Sequence, residues 1–186
     1  QIKNVIKYPD EVIFEAKTPL DGRDTPIRSV QTNLGQVISK AMSFAFNDKV
    51  DCALVNGGSI RIDDQLSGPV TAVDIFRVLP YGGGVLKVGI KGELLERVLN
   101  YGIAAQGKGA YLQRFNAHII GNQWMIKNKV LNLNKTYTVA FSDYLLKGLD
   151  IPFLTANNKD ITSVVQPENN ELTSDIRKVV INYLKK

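Results

Sequence analysis

The sequence has the pattern of an α/β (α+β) domain, a single unit with a mixed β-sheet and flanking helices. Three observations carry this. Segments with apolar residues at helical spacing alternate with short apolar runs of strand length. A Gly121-Asn122 pair between two such runs marks a hairpin, which an all-parallel sheet does not contain. The 186 residues, 44% hydrophobic and 22% charged, suit one domain with a sizeable core.

The elements follow in order. Residues 1–26, with Pro9, Pro19, Pro26 and an Asp21-Gly22 turn, read as a lead-in with a short strand at Val12-Ile13-Phe14. Leu34, Val37, Ile38, Ala41, Met42 and Ala45 recur at helical spacing, and Thr32 or Asn33 can cap that helix. Residues 51–55 form a buried strand that runs into Asn56-Gly57-Gly58-Ser59. Thr71 and Asp74 have capping-box spacing and open a short helix ended by Pro80. Gly82-Gly83-Gly84 leads into a strand over 85–90, and Lys91-Gly92 turns into a helix with Leu94, Leu95, Val98 and Leu99 on one face. Residues 106–116 read as a polar loop, 117–120 and 123–126 as the hairpin, and 137–141 as a strand. A short helix covers 144–147. The last helix covers 172–184, with Leu172, Ile176, Val179, Val180 and Tyr183 inward.

Composition excludes several chemistries. One cysteine, Cys52, and one histidine, His118, cannot build a disulfide, a zinc cluster or a His-rich two-metal centre. No apolar run approaches the about 20 residues that span a bilayer. The chain opens with Gln1 and shows no signal-peptide pattern. The net charge of +5 is uneven: residues 1–75 carry 8 Lys/Arg against 10 Asp/Glu, residues 76–186 carry 15 against 8. No basic run is interleaved with aromatics, so nucleic acid is not the expected partner. A basic face that favours small anionic ligands is. His118, Cys52 and Trp124 read as structural residues.

Two glycine segments invite a ligand. Gly82-Gly83-Gly84 follows a helix and opens a strand, with no Lys-Ser/Thr after it, which is the reverse of a phosphate-binding loop and reads as a tight turn. Asn56-Gly57-Gly58-Ser59-Ile60-Arg61 follows a buried strand. Its backbone N–H groups, the Asn56 amide and Arg61 can converge on one polar ligand, or the segment can simply end the strand with a surface arginine.

Taken with Pro19-Leu20-Asp21-Gly22-Arg23, Ile27-Arg28, Gln31-Thr32-Asn33-Leu34-Gly35, Leu79-Pro80-Tyr81-Gly82-Gly83, Gly109-Ala110-Tyr111 and the 144–150 segment, these motifs show a resemblance. The chain resembles the C-terminal domain of the 5'-nucleotidase family, the group of UDP-sugar hydrolases, ecto-5'-nucleotidase and 2',3'-cyclic nucleotide phosphodiesterases. The resemblance covers most of residues 17–153. It implies that residues 1–186 are the substrate-binding domain of a metal-dependent phosphoesterase. The divalent metal pair and all catalytic residues would lie on an N-terminal metallophosphatase domain absent from this chain, and that domain would be a partner. It also implies a nucleoside or nucleotide ligand and a periplasmic, extracellular or cell-surface location.

The resemblance carries site residues with it. Tyr81 and Tyr144 match two aromatic rings that sandwich the base; either alone would read as a half-buried surface ring, but the pair does not. Asp150 matches the acid on the ribose hydroxyls, and Arg28 and Arg61 match arginines near ribose and phosphate. Arg23 matches another, with one extra residue between it and Arg28. Asn56 belongs to the same pocket, and Gly109 lies where its backbone passes. Two departures stand out. Gly148-Leu149-Asp150-Ile151 lacks two of the family's glycines. Gly83 stands where some relatives carry an asparagine on the base, which implies looser base selectivity. A stand-alone binding module without a working nucleoside site is the alternative, and a relative acting on a sulfur compound a third reading.

Overall fold

Ten strands and five helices, described over residues 6–186 in a computed structural model, assemble around one mixed five-stranded sheet. Its order is β10-β4-β9-β2-β5, where β2 is Cys52–Asn56, β4 Val85–Lys91, β5 Leu112–Phe115, β9 Thr136–Ser142 and β10 Ile161–Val165. Strands β2 and β9 run parallel; every other pairing in this sheet is antiparallel. Alternation along the strands puts a core on each face. Ala53 and Val55 of β2 face one cluster, with Ile38, Met42, Ile75 and Val179. Cys52 and Leu54 face the other, with Leu95, Val98, Trp124 and Phe141.

The helices form where their apolar faces demand it. Helix α2 (Asn33–Phe44) is capped by Thr32, whose hydroxyl accepts from the Gly35 N–H at 3.0 Å, and it buries Leu34, Ile38, Ala41 and Met42. Helix α3 (Ala72–Val78) opens on the expected box: the Asp74 carboxylate accepts from the Thr71 backbone N–H at 2.9 Å. Helix α4 (Gly92–Ala104) buries Leu94, Leu95, Val98 and Leu99. Helix α5 (Ile176–Leu184) is capped by Asp175 and packs Tyr183 edge-on against Phe44, ring centres 5.5 Å apart. The 117–126 hairpin forms as β6 (Ala117–Ile120) and β7 (Gln123–Ile126), joined at Gly121, and is extended by β8 (Lys129–Val130). Trp124 is buried there, its indole N–H donating to Asn100 at 2.7 Å.

Several expectations need correcting. The lead-in is structured from Val12 on, its residues 1–5 lying outside the described residues: β1 runs Val12–Asp21 and pairs with β3 (Gln65–Thr71), and a single-turn helix α1 follows at Asp24–Ile27. The 106–116 segment is not all loop, because β5 occupies its second half and pairs with β2. The 144–147 helix is a 3-10 turn over Asp143–Leu146. Helix α5 starts only at Ile176; Leu172 lies in a separate 3-10 turn and is exposed. Strand β10 forms over Ile161–Val165, where the polar Thr162 and Ser163 hide the strand in the sequence. Among the described residues no helix is long and apolar enough to cross a membrane.

Candidate functional site

Parallel strands end on the same side of a sheet, and the loops leaving those ends are where a crevice opens. Here β2 ends at Asn56 and β9 at Ser142, while the loop entering β4 lies opposite Ser142 through the Val85–Ser142 pair. A cavity of about 610 Å³ opens there. The loop after β2 contributes Asn56, Gly58, Ser59 and Arg61, and the loop before β4 contributes Tyr81, Gly82 and Gly83. The loop after β9 adds Asp143, Tyr144, Lys147 and Asp150, while Arg28 and Gly109 complete the wall.

Seven of the eight residues singled out from the sequence therefore meet: Arg28, Asn56, Arg61, Tyr81, Gly109, Tyr144 and Asp150 all line this cavity. Tyr81 is 72% exposed. Tyr144 is half-buried, with the Lys147 ammonium 5.9 Å from its ring centre. Asn56 is buried and fixed at both ends of its amide. Its Nδ2 donates to Asp150 at 3.0 Å, and its Oδ1 accepts from the Ser59 hydroxyl at 2.7 Å. That bond orients one oxygen of Asp150 and leaves the other for a ligand. Gly58 and Gly109 lie backbone to backbone, the Gly58 N–H donating to the Gly109 carbonyl at 2.9 Å. A Cβ on Gly58 would stand 3.0 Å from the Gly109 Cα, so glycine lets the two backbones approach without either having to shift.

The cavity carries mixed charge. Arg61 is exposed at the rim, and its backbone N–H is tied to the Val78 carbonyl at 2.9 Å. Arg28 is partly buried, with Nε 3.1 Å from Asp24 Oδ1 in an i,i+4 ion pair too bent to count as a hydrogen bond. Its terminal nitrogens make no hydrogen bond to another described residue, which leaves donors in the cavity wall for the paired oxygens of a carboxylate or phosphate.

Arg23 does not join the others. Its Nε and one terminal nitrogen grip the two oxygens of Asp21 at 2.9 and 2.8 Å, outside the cavity. That hydrogen-bonded pairing holds the Asp21 carboxyl below its usual range. Cys52 is fully buried, and burial pushes its thiol well above the usual range, so it is inert. Among the described residues no three His, Cys, Asp or Glu side chains come together as a metal-ligand group, and His118 does not line the cavity.

Other contributors were not read from the sequence. The C-terminal helix holds the Tyr81 loop from behind: the Ile176 N–H donates to the Gly83 carbonyl at 2.8 Å. Arg177, paired with Asp175 and stacked 4.3 Å over Phe76, lies against Gly82. Asp143 bridges the loops that carry Tyr81 and Tyr144, accepting from the Gly84 N–H at 2.9 Å. Spacing along the chain could not reveal the contacts of Ile176, Arg177 and Asp143 with the 76–84 segment, because they join stretches far apart in sequence.

The family model "5'-nucleotidase, C-terminal domain" matches residues 12–156. The 5'-nucleotidase of Rattus norvegicus is 28% identical over 161 residues, covering 70% of this chain and 28% of that protein. Protein UshA of Yersinia enterocolitica is 30% identical over 139 residues, covering 70% of this chain and 24% of that protein. The chain thus spans about a quarter of the length of these curated relatives. A 5'-nucleotidase precursor from Thermus thermophilus shares the fold, with a TM-score of 0.82 at 24% identity over 98% of this chain and 38% of that one. The cavity-lining motifs fall inside the matched span, and the chain belongs to the 5'-nucleotidase C-terminal domain family.

Proposed function

We propose that this chain binds the nucleoside part of a nucleotide for a 5'-nucleotidase-type hydrolase. In this reading the metal pair, the attacking water and the general acid and base reside on a separate metallophosphatase domain. One observation carries it. Residues as distant in sequence as Arg28, Tyr81 and Asp150 line one cavity with Asn56 and Tyr144, and its volume of about 610 Å³ lies in the range of small-molecule sites. The two tyrosine faces hold a base by stacking. Asp150 accepts from the ribose hydroxyls with the oxygen that Asn56 leaves free. Arg28 and Arg61 face the phosphate. The same reading puts the protein in the periplasm, at the cell surface or outside the cell.

The sugar contact supplies the test. A carboxylate that accepts from two vicinal hydroxyls is left partly unpaired when one is missing, at a cost of about 1–3 kcal/mol. Titration calorimetry on the chain should show a ribonucleoside bound roughly tenfold tighter than its 2'-deoxy counterpart. Asp150→Ala should erase that difference. Equal affinity for the two sugars would remove Asp150 from the ribose. Binding of neither would favour the interaction-module reading, which the exposed Leu149 beside Asp150 supports.

A further inference from the structure

The open question at this cavity is which base it takes. Gly83 offers no side chain, but the space above it is filled. Its φ is +88°, and a Cβ built there would stand 2.6 Å from Asp143 Oδ1. The Asp143 carboxylate therefore lies over Gly83, between the loops that carry Tyr81 and Tyr144, and it lines the cavity. The Gly84 N–H holds it there by donating to Oδ2 at 2.9 Å, and the backbone beneath is fixed by the Asp143 N–H, which donates to the Gly84 carbonyl at 3.0 Å. Among the described residues Oδ1 receives no hydrogen bond, and no Lys or Arg pairs with this carboxylate. An ionised carboxylate is acceptor-only, and each oxygen has room for more than one donor.

We propose that Asp143 reads the edge of the base held between Tyr81 and Tyr144 and selects guanine; this rests on the nucleoside reading above. Guanine presents a ring N–H and an exocyclic amino group side by side, two donors that match the two oxygens of one carboxylate. Hypoxanthine keeps the ring N–H and lacks the amino group. Adenine flanks its amino group with a ring-nitrogen lone pair, and uracil flanks its N–H with carbonyl oxygens. Each of those sets an acceptor against a carboxylate oxygen. The rejection is as important as the attraction, because a site built to receive donors leaves its own groups unpaired with the wrong ligand.

Calorimetric titration of the chain with guanosine, inosine and adenosine tests this directly. Guanosine and inosine differ only in the 2-amino group, and guanosine should bind about tenfold tighter or more. Asp143→Asn keeps an oxygen for the Gly84 N–H but turns a donor toward the base, so it should close the gap and leave the melting temperature near that of the unsubstituted chain. Equal affinity for guanosine and inosine in the unsubstituted chain would overturn the role of Asp143 and leave the nucleoside site standing. A gap that survives in a folded Asp143→Asn chain would do the same. Failure of all three nucleosides to bind would overturn the nucleoside reading, and the base preference with it.

Discussion

Tyr81 leaves 72% of its surface in solvent, so folding gains little from its ring. A large aromatic face held out over a cavity is available to a flat ligand, and stacking on it contributes about 1–3 kcal/mol per base. Tyr81→Ala should weaken nucleoside binding by about that amount while the melting temperature hardly moves. Tyr81→Phe should bind like the unsubstituted chain, because stacking uses the ring face and not the hydroxyl. Calorimetry with one nucleoside against all three chains measures this. If Phe proves as damaging as Ala, the hydroxyl is the contact and the rings do not sandwich a base. Asn56 works at the same scale but in the opposite way. It is buried and its amide is held by Asp150 and Ser59, so its contribution is to aim Asp150 at the cavity.

Single elements hold these residues in place, and β5 shows how. Gln113 in this strand is fully buried, and its amide makes four bonds. It donates to the carbonyls of Ile27 at 2.8 Å and Val30 at 2.7 Å, and it accepts from the Thr32 N–H at 3.0 Å and from Gln31 at 2.9 Å. The segment it fixes carries Arg28. Gln113→Ala strands two buried backbone groups, the Ile27 carbonyl and the Thr32 N–H, each costing about 1–3 kcal/mol, so it should destabilise the chain by about 2 kcal/mol or more in a denaturant titration. Because it frees Arg28, it should also weaken a nucleoside monophosphate more than the matching nucleoside. A uniform loss for both ligands would separate Gln113 from the phosphate side of the cavity. This strand also marks what could be read from the sequence. Helices α2, α4 and α5 were legible because their apolar faces recur at helical spacing and pack on the sheet. Strand β5 has the look of a loop in sequence because Gln113 and Arg114 suggest a solvent-facing segment, and only three dimensions show Gln113 bonded to backbone more than 80 residues away. Strand β3 was hidden for a related reason: Gly68 and Pro69, ordinarily turn residues, sit within it. At the cavity, motif-bearing residues were legible, whereas Asp143, Gln113 and Arg177 act through contacts that spacing does not encode.

Across the whole molecule, rigidity and function are divided by geometry. Cores on both faces of the sheet fix the ends of β2 and β9, and the cavity opens where those two parallel strands stop. The cavity presents two ring faces, two carboxylates and the cations Arg28, Arg61 and Lys147. Uncatalysed phosphate monoester hydrolysis is among the slowest reactions known, and enzymes that accelerate it must activate a nucleophile as well as stabilise charge. Arginines can do the second but not the first. His118 lies outside the cavity, and the described residues bring together no metal-ligand group that could lower the pKa of a bound water. The chain on its own should therefore bind a nucleoside monophosphate without hydrolysing it. Release of inorganic phosphate should stay at the no-protein rate with or without added magnesium, manganese or zinc, under conditions where calorimetry shows the ligand bound. Metal-dependent turnover by the chain alone would mean that ligands from its own loops assemble a catalytic centre, and would end the assignment of chemistry to a separate domain.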